Sequence, residues 1–138
     1  MMRCLPKLRI VNLTRNSVLA EAADIADTSE KRRRGLLKHT SLARGEGMWI
    51  APCEAVHTFG MKFAIDVLFL DRKRRVLKIR EKMPRSRMSL CLRAHSVLEL
   101  PAGTAEETGT ATGDELEFEK LPERQPEPGA GMSADAAR

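Results

Sequence analysis

The stretch from His57 to Asp71, HTFGMKFAIDVLFLD, constrains this chain more than any other part of it. It gathers three of the four Phe into one apolar run that also carries His57, Lys62 and Asp66. In an extended strand Ile65, Val67 and Phe69 fall on one face, while Leu68 and Leu70 share the other with Asp66. A strand apolar on both faces belongs inside a sheet, with neighbours on each side and cover above and below. The run is far shorter than the roughly 18 residues that a bilayer-crossing helix requires.

Other segments read as short elements around that strand. Residues 8–14 (LRIVNLT) alternate as a strand, Arg15-Asn16-Ser17 makes a turn, and residues 18–26 return as its hairpin partner. Asp27 or Thr28 can cap a helix over residues 29–38, with Asp27 and Glu30 in the D-x-x-E arrangement. Residues 48–50 form a short strand that Pro52 limits. Residues 76–80 complete a hairpin with the central strand, and residues 96–100 (SVLEL) form a further one. One helical turn over residues 103–108 closes at Gly109, and Gly113-Asp114 turns into a last strand over residues 115–119. The prediction is an α+β domain: a mainly antiparallel, barrel-like curled sheet of about seven strands with one or two short helices. It spans residues 1–119. Residues 120–138, with three of the seven Pro and no periodicity, read as a disordered tail.

The 138 residues suit one domain, and the odd count of three Cys (Cys4, Cys53, Cys91) suits reduced thiols rather than a disulfide framework. The first residues lack the apolar core of a signal peptide, so the expected setting is cytoplasmic, without a membrane partner. Charge is unevenly spread: residues 1–30 are neutral, residues 31–87 carry +11 and residues 88–138 carry −6. Two basic runs, Lys31 to Arg34 and Arg72 to Arg75, raise nucleic-acid binding as an alternative. Against it stand the absence of Tyr and of any helix-turn-helix, finger or RNA-sheet motif.

Several motifs in order resemble the uncharacterised family called domain of unknown function 192. They are Arg34-Gly35-Leu36, Gly47-Met48, Phe59-Gly60-Met61-Lys62, Asp66-Val67-Leu68-Phe69-Leu70-Asp71, Leu98-Glu99-Leu100-Pro101-Ala102-Gly103 and Gly113-Asp114. Gly60 stands where the commoner family pattern has Trp, and residues between Lys62 and Asp66 are fewer, as in a shorter H-T-F-G-M branch of the family. Ala64 takes a place where that branch usually has Pro. The resemblance implies a fold and a shortlist of positions, and no activity.

Five residues form the expected ligand-binding set: His57, Met61, Lys62, Asp66 and Glu99. Asp66 either accepts backbone N–H bonds or sits at the open end of a barrel, because a buried carboxylate without donors is costly. His57 is a strand histidine or a ligand-contacting imidazole, and Lys62 a solvated lysine or a contact. Alternation turns Glu99 toward water or a sheet edge. Cys53-x-x-x-His57 and Cys91-x-x-x-His95 repeat one spacing that zinc could use, yet strand residues four apart lie about 13 Å apart. No metal and no cofactor are therefore expected. Hydrolase signatures such as G-x-S-x-G, the P-loop and H-E-x-x-H are absent, leaving an enzyme built on His57 and Asp66 as a further alternative. The favoured reading is a small non-enzymatic binding or accessory domain for a small polar ligand or a partner segment.

Overall fold

A computed structural model describes residues 6–36 and 39–122. Nine strands and two short helices follow one another as β1 (Leu8–Asn12), β2 (Ser17–Ala26), α1 (Ser29–Arg34), β3 (Glu46–Ile50), β4 (Ala55–His57), β5 (Ile65–Leu70), β6 (Val76–Met83), β7 (Met88–Leu90), β8 (Ser96–Pro101), α2 (Thr104–Thr108) and β9 (Leu116–Lys120). Seven strands make one sheet in the order β6-β5-β8-β3-β2-β1-β9, and β4 with β7 forms a separate two-stranded ribbon. All pairings are antiparallel except β2 with β3. The sheet curls until its two edge strands touch at one end. There Arg75 bridges Glu115, and the Val76 and Leu116 N–H groups donate to the carbonyls of Asp114 and Arg74 at 2.9 and 3.0 Å. Joining the edges in this way pairs backbone groups that would otherwise be left open at the sheet ends.

The expected α+β, curled and mainly antiparallel architecture is present. Beyond it the structure adds β4 and β7, three residues each, too short for an alternating pattern to show in the sequence. The predicted helix is shorter than expected: Thr28 caps it by accepting the Lys31 N–H at 3.2 Å, and Gly35, at a φ of 48°, ends it. The last two positions of that expectation, 37 and 38, lie outside the described residues, as does the expected tail from residue 123 onward.

Two apolar layers cover the sheet. Inside the curl, Ile10, Leu19, Leu68, Leu70, Leu98 and Leu100 pack with Val76 and Leu116. On the other face Ile50, Ile65, Val67, Phe69 and Val97 pack beneath Leu36, Val56, Met61 and Met83. All six residues of β5 and all six of β8 are therefore buried. Burying each of their Val, Leu, Ile and Phe side chains contributes about 1.5–3 kcal/mol, so these two strands anchor the fold.

Asp66 is fully buried inside the curl, and its carboxylate accepts three backbone N–H bonds. Oδ1 receives Lys82 at 2.7 Å and Gly103 at 3.2 Å; Oδ2 receives Ala105 at 2.8 Å. Lys82 sits at a β-bulge, where the β5–β6 register jumps from Ile65↔Met83 to Val67↔Arg80 and φ is 50°. A bulge withdraws an N–H from the ladder, and Asp66 supplies the missing acceptor. Gly103, at a φ of 96°, turns the chain from β8 into α2 so that two more N–H groups aim at the same carboxylate. A second buried acid, Asp114, accepts from Asn12, Arg15 and the Ala111 N–H at 2.9–3.0 Å and ties the β1–β2 turn to the start of β9. Burial works to raise its pKa, and these donors, led by Arg15, outweigh that and hold it below the usual carboxylate value.

Asp66→Ala strands two buried donors and one part-buried donor, and the expected loss is about 3 kcal/mol by chemical denaturation. A loss under 1 kcal/mol would refute this account of Asp66. Gly47 allows β3 to lie against β8, since a Cβ there would meet Leu100 Cδ2 at 2.9 Å and the Glu99 carbonyl at 3.0 Å. Gly47→Ala is expected to cost about 1–3 kcal/mol through overpacking, although alanine favours ordered backbone in general. A neutral or stabilising result would show that the strands can separate freely.

Candidate functional site

A cleft of about 150 Å³ opens on the outer face of the sheet, between α1, the segment after β3, the β4–β7 ribbon and β8. Its walls are the buried side chains of Leu36, Ile50, Val56 and Met61, and its deepest polar group is Glu99. Arg32, Arg33 and Arg34 from α1 and the exposed ring of His57 from β4 line it nearer to solvent. The helix itself buries no side chain; Leu36, just after its glycine cap, pins it over the second apolar layer. The basic side chains of α1 are thereby held at an otherwise apolar opening.

Glu99 departs from the expectation that it would face water or a sheet edge. Val97 and Glu99 share one face of β8, and that face is covered by the second apolar layer, so Glu99 is only 6% exposed. It pairs across the sheet with Met48 on one side and Val67 on the other, both apolar. Among the described residues its carboxyl has no side-chain hydrogen bond or ion pair. Burial in these surroundings pushes its pKa up to about 7, so near neutrality it is divided between acid and anion.

The structure brings together three of the five expected site residues: His57, Met61 and Glu99. His57 stacks on Phe59 with ring centroids 5.4 Å apart. Lys62 is exposed and lines a different, shallow groove with Gly60, Pro84 and Arg85. Asp66 is directed into the curl instead, with both oxygens engaged by backbone donors, and it does not line the cleft. No hydrogen bond joins it to His57 among the described residues, so the pair does not form an acid–base couple here.

Cys53, also at the cleft, was absent from the expected ligand set. Burial raises its pKa first, a backbone hydrogen bond of Ala55 opposes this, the Glu99 carboxylate adds to the rise and Arg32 works against it; the net shift is upward. The thiol donates to the Ala55 carbonyl at 3.1 Å, an arrangement of a protonated structural cysteine rather than a thiolate nucleophile. The repeated Cys-x-x-x-His segments do run side by side, Cys53 N–H donating to His95 at 2.9 Å and Cys91 N–H to Glu54 at 2.8 Å. Among the described residues no three His, Cys, Asp or Glu side chains converge in a way that could hold a metal ion. No helix among them is long and apolar enough to cross a membrane.

The two basic runs have different local partners. Arg34 pairs with Glu30 at 2.9 Å, and Arg32 donates to the Asp27 carbonyl at 3.3 Å. Arg74 lies over the Phe118 ring at 4.1 Å and the Trp49 ring at 5.3 Å, while Arg75 faces Asp71 at 3.5 Å. Arg32 to Arg34 are the cleft residues that single-residue chemistry overlooked; the Arg34-Gly35-Leu36 motif marked their location but not their role.

A family model described as DUF192, uncharacterised ACR, matches residues 11–118. A UPF0127 protein of Thermococcus sibiricus is 32% identical over 120 residues, covering 83% of this chain and 77% of that protein. Two solved structures share the fold. One, from Sinorhizobium meliloti and described as a candidate transcription regulator, has a TM-score of 0.73 at 21% identity, covering 86% of this chain and 97% of that one. The other, of unknown function and from Novosphingobium aromaticivorans, has a TM-score of 0.70 at 22% identity, covering 83% and 84%. With the six motifs now placed on the curled sheet and its outer cleft, the chain belongs to the domain of unknown function 192 family of uncharacterised proteins.

Proposed function

We propose that the chain is a small binding module whose outer cleft takes a compact ligand with an apolar body and a hydrogen-bond-donating, preferably cationic, head. One observation carries this: Glu99 is buried at the base of the cleft, among apolar side chains, without a side-chain partner among the described residues. A carboxyl kept there without a donor lowers stability, and an incoming ammonium or amide N–H removes that deficit by supplying one. A cavity near 150 Å³ admits a group about the size of a benzene ring. Arg32 to Arg34 at the opening suit an anionic group at the ligand's other end, and Met61 supplies an adaptable apolar wall. His57 and Glu99 are polar contacts in this proposal, and Lys62 and Asp66 lie outside it.

The sign of the pH response follows from burial. The Glu99 carboxyl holds its proton up to about pH 7 in the folded chain, against 4.5 for an ordinary glutamate. Between those values the folded state binds more protons than the unfolded one, so stability falls as pH rises from about 4.5 to 7 and then levels. Glu99→Gln removes the penalty: it is expected to match the parent near pH 4.5 and to exceed it by about 3 kcal/mol at pH 8. Urea unfolding at the two pH values measures this. An equal difference at both would show that Glu99 is solvated.

For binding, the probes are benzylamine, 4-(aminomethyl)benzoate and benzoate at millimolar concentration, pH 8, read as shifts in melting temperature. The two amines are expected to stabilise the parent, the zwitterion more than benzylamine, and benzoate to do neither. Glu99→Gln is expected to lose the amine response. Equal shifts from benzoate and benzylamine, no shift from any probe, or an unchanged response in Glu99→Gln would each refute the proposed ligand chemistry.

A further inference from the structure

The β4–β7 ribbon presents a second surface that adjoins the cleft and shares Ala55 and His57 with its rim. Ala55 is paired with Leu90 and His57 with Met88, so all four side chains stand on one face, while Val56 and Ser89 turn inward and are buried. Met88 is 64% exposed, Leu90 49% and Leu92, at the turn that follows, 72%; Phe59, stacked on His57, is 49% exposed. Among the described residues these are four of the five large apolar side chains left in water. Scattered exposed hydrophobics are ordinary, but Met88 and Leu90 on one ribbon face, with Phe59 stacked on its His57 and Leu92 in the turn that follows, form a contact surface.

The charge around this face is mainly positive; the exposed Glu54, one residue before β4 and joined through its carbonyl to the Cys91 N–H, is the acid beside it. Residues 55–64 and 84–95 contain Lys62, Arg85, Arg87 and Arg93 and no Asp or Glu. All four cations are exposed, and none has an acidic partner among the described residues. Lys62 and Arg85 line one shallow groove. Lys78 adds a further ammonium beside the ribbon by donating to the Leu90 carbonyl at 2.8 Å.

We infer that this ribbon is a docking surface for an anionic lipid bilayer, touched peripherally and reversibly. The tips of Phe59, Met88, Leu90 and Leu92 would enter the boundary between headgroups and acyl chains, with Lys62, Arg85, Arg87 and Arg93 on the headgroup phosphates. Such contact needs no membrane-crossing segment. A second copy fits the face poorly, because apposing two ribbons would bring eight unpaired cations together. An acidic peptide strand or helix fits less well than a bilayer, since the apolar side chains project from the ribbon instead of lining a groove.

Co-sedimentation of the full chain with vesicles tests the assignment. Vesicles of phosphatidylglycerol and phosphatidylcholine in equal parts are expected to bind it at least tenfold better than phosphatidylcholine alone, and half-molar salt to weaken binding. Met88→Ser with Leu92→Ser, and separately Arg85→Gln with Arg87→Gln, are expected to reduce binding at least tenfold. Melting temperatures should stay unchanged, because all four side chains are exposed. Absence of binding to the anionic vesicles overturns the inference, as does binding that the serine pair leaves unaltered. A concentration-dependent dimer that the serine pair abolishes, without vesicle binding, assigns the face to a second copy. Retention by polyglutamate but not by vesicles assigns it to an acidic polypeptide.

Discussion

The carboxylate of Asp66 is the point on which several elements of this fold converge. It accepts one N–H from the bulge in β6 and two from the turn between β8 and α2, and it does so with no exposure to solvent. Without an acceptor at that position the bulge would leave a part-buried donor unpaired, and the turn at Gly103 would bury two more. Strand β5 thus does more than fill the sheet. It fixes where β6 bends and where the chain leaves β8.

Glu99 shows the opposite solution to the same problem. Both acids come from strands whose six residues are all buried, yet Asp66 meets three donors and Glu99 meets methyl and methylene groups. The difference lies in which face each occupies. Inside the curl, a bulge and a helix turn deliver backbone N–H groups, whereas the outer layer is built from side chains of Leu36, Ile50, Val56 and Met61, which have none to give. A cleft whose basal carboxyl has no side-chain partner among the described residues is the outcome, and burial holds that carboxyl near neutrality in its titration.

Much of the fold was legible in the sequence because its signals are local. The alternation in Ile65 to Leu70 located the interior strand, and Asn16 and Gly113 stand at turns with positive φ. The Gly103 to Gly109 interval enclosed α2. The ribbon strands β4 and β7 escaped because three residues carry too little periodicity to separate a strand from a loop. The candidate site was half legible. His57 and Met61 line the outer cleft, but Lys62, only one residue beyond Met61, lines another groove, and Asp66 turns into the curl.

The sequence alone determined the curled, mainly antiparallel sheet and the family, since both rest on patterns within a few residues and on motifs kept in order. Tertiary structure decided the chemistry. Whether a buried acid is satisfied depends on what packs against its face, and for Glu99 that cover comes from α1, the loop beyond β3 and the ribbon, all distant in the chain. Alternation assigns a residue to one side of a strand, but only the assembled second layer sets whether that side is water or hydrocarbon.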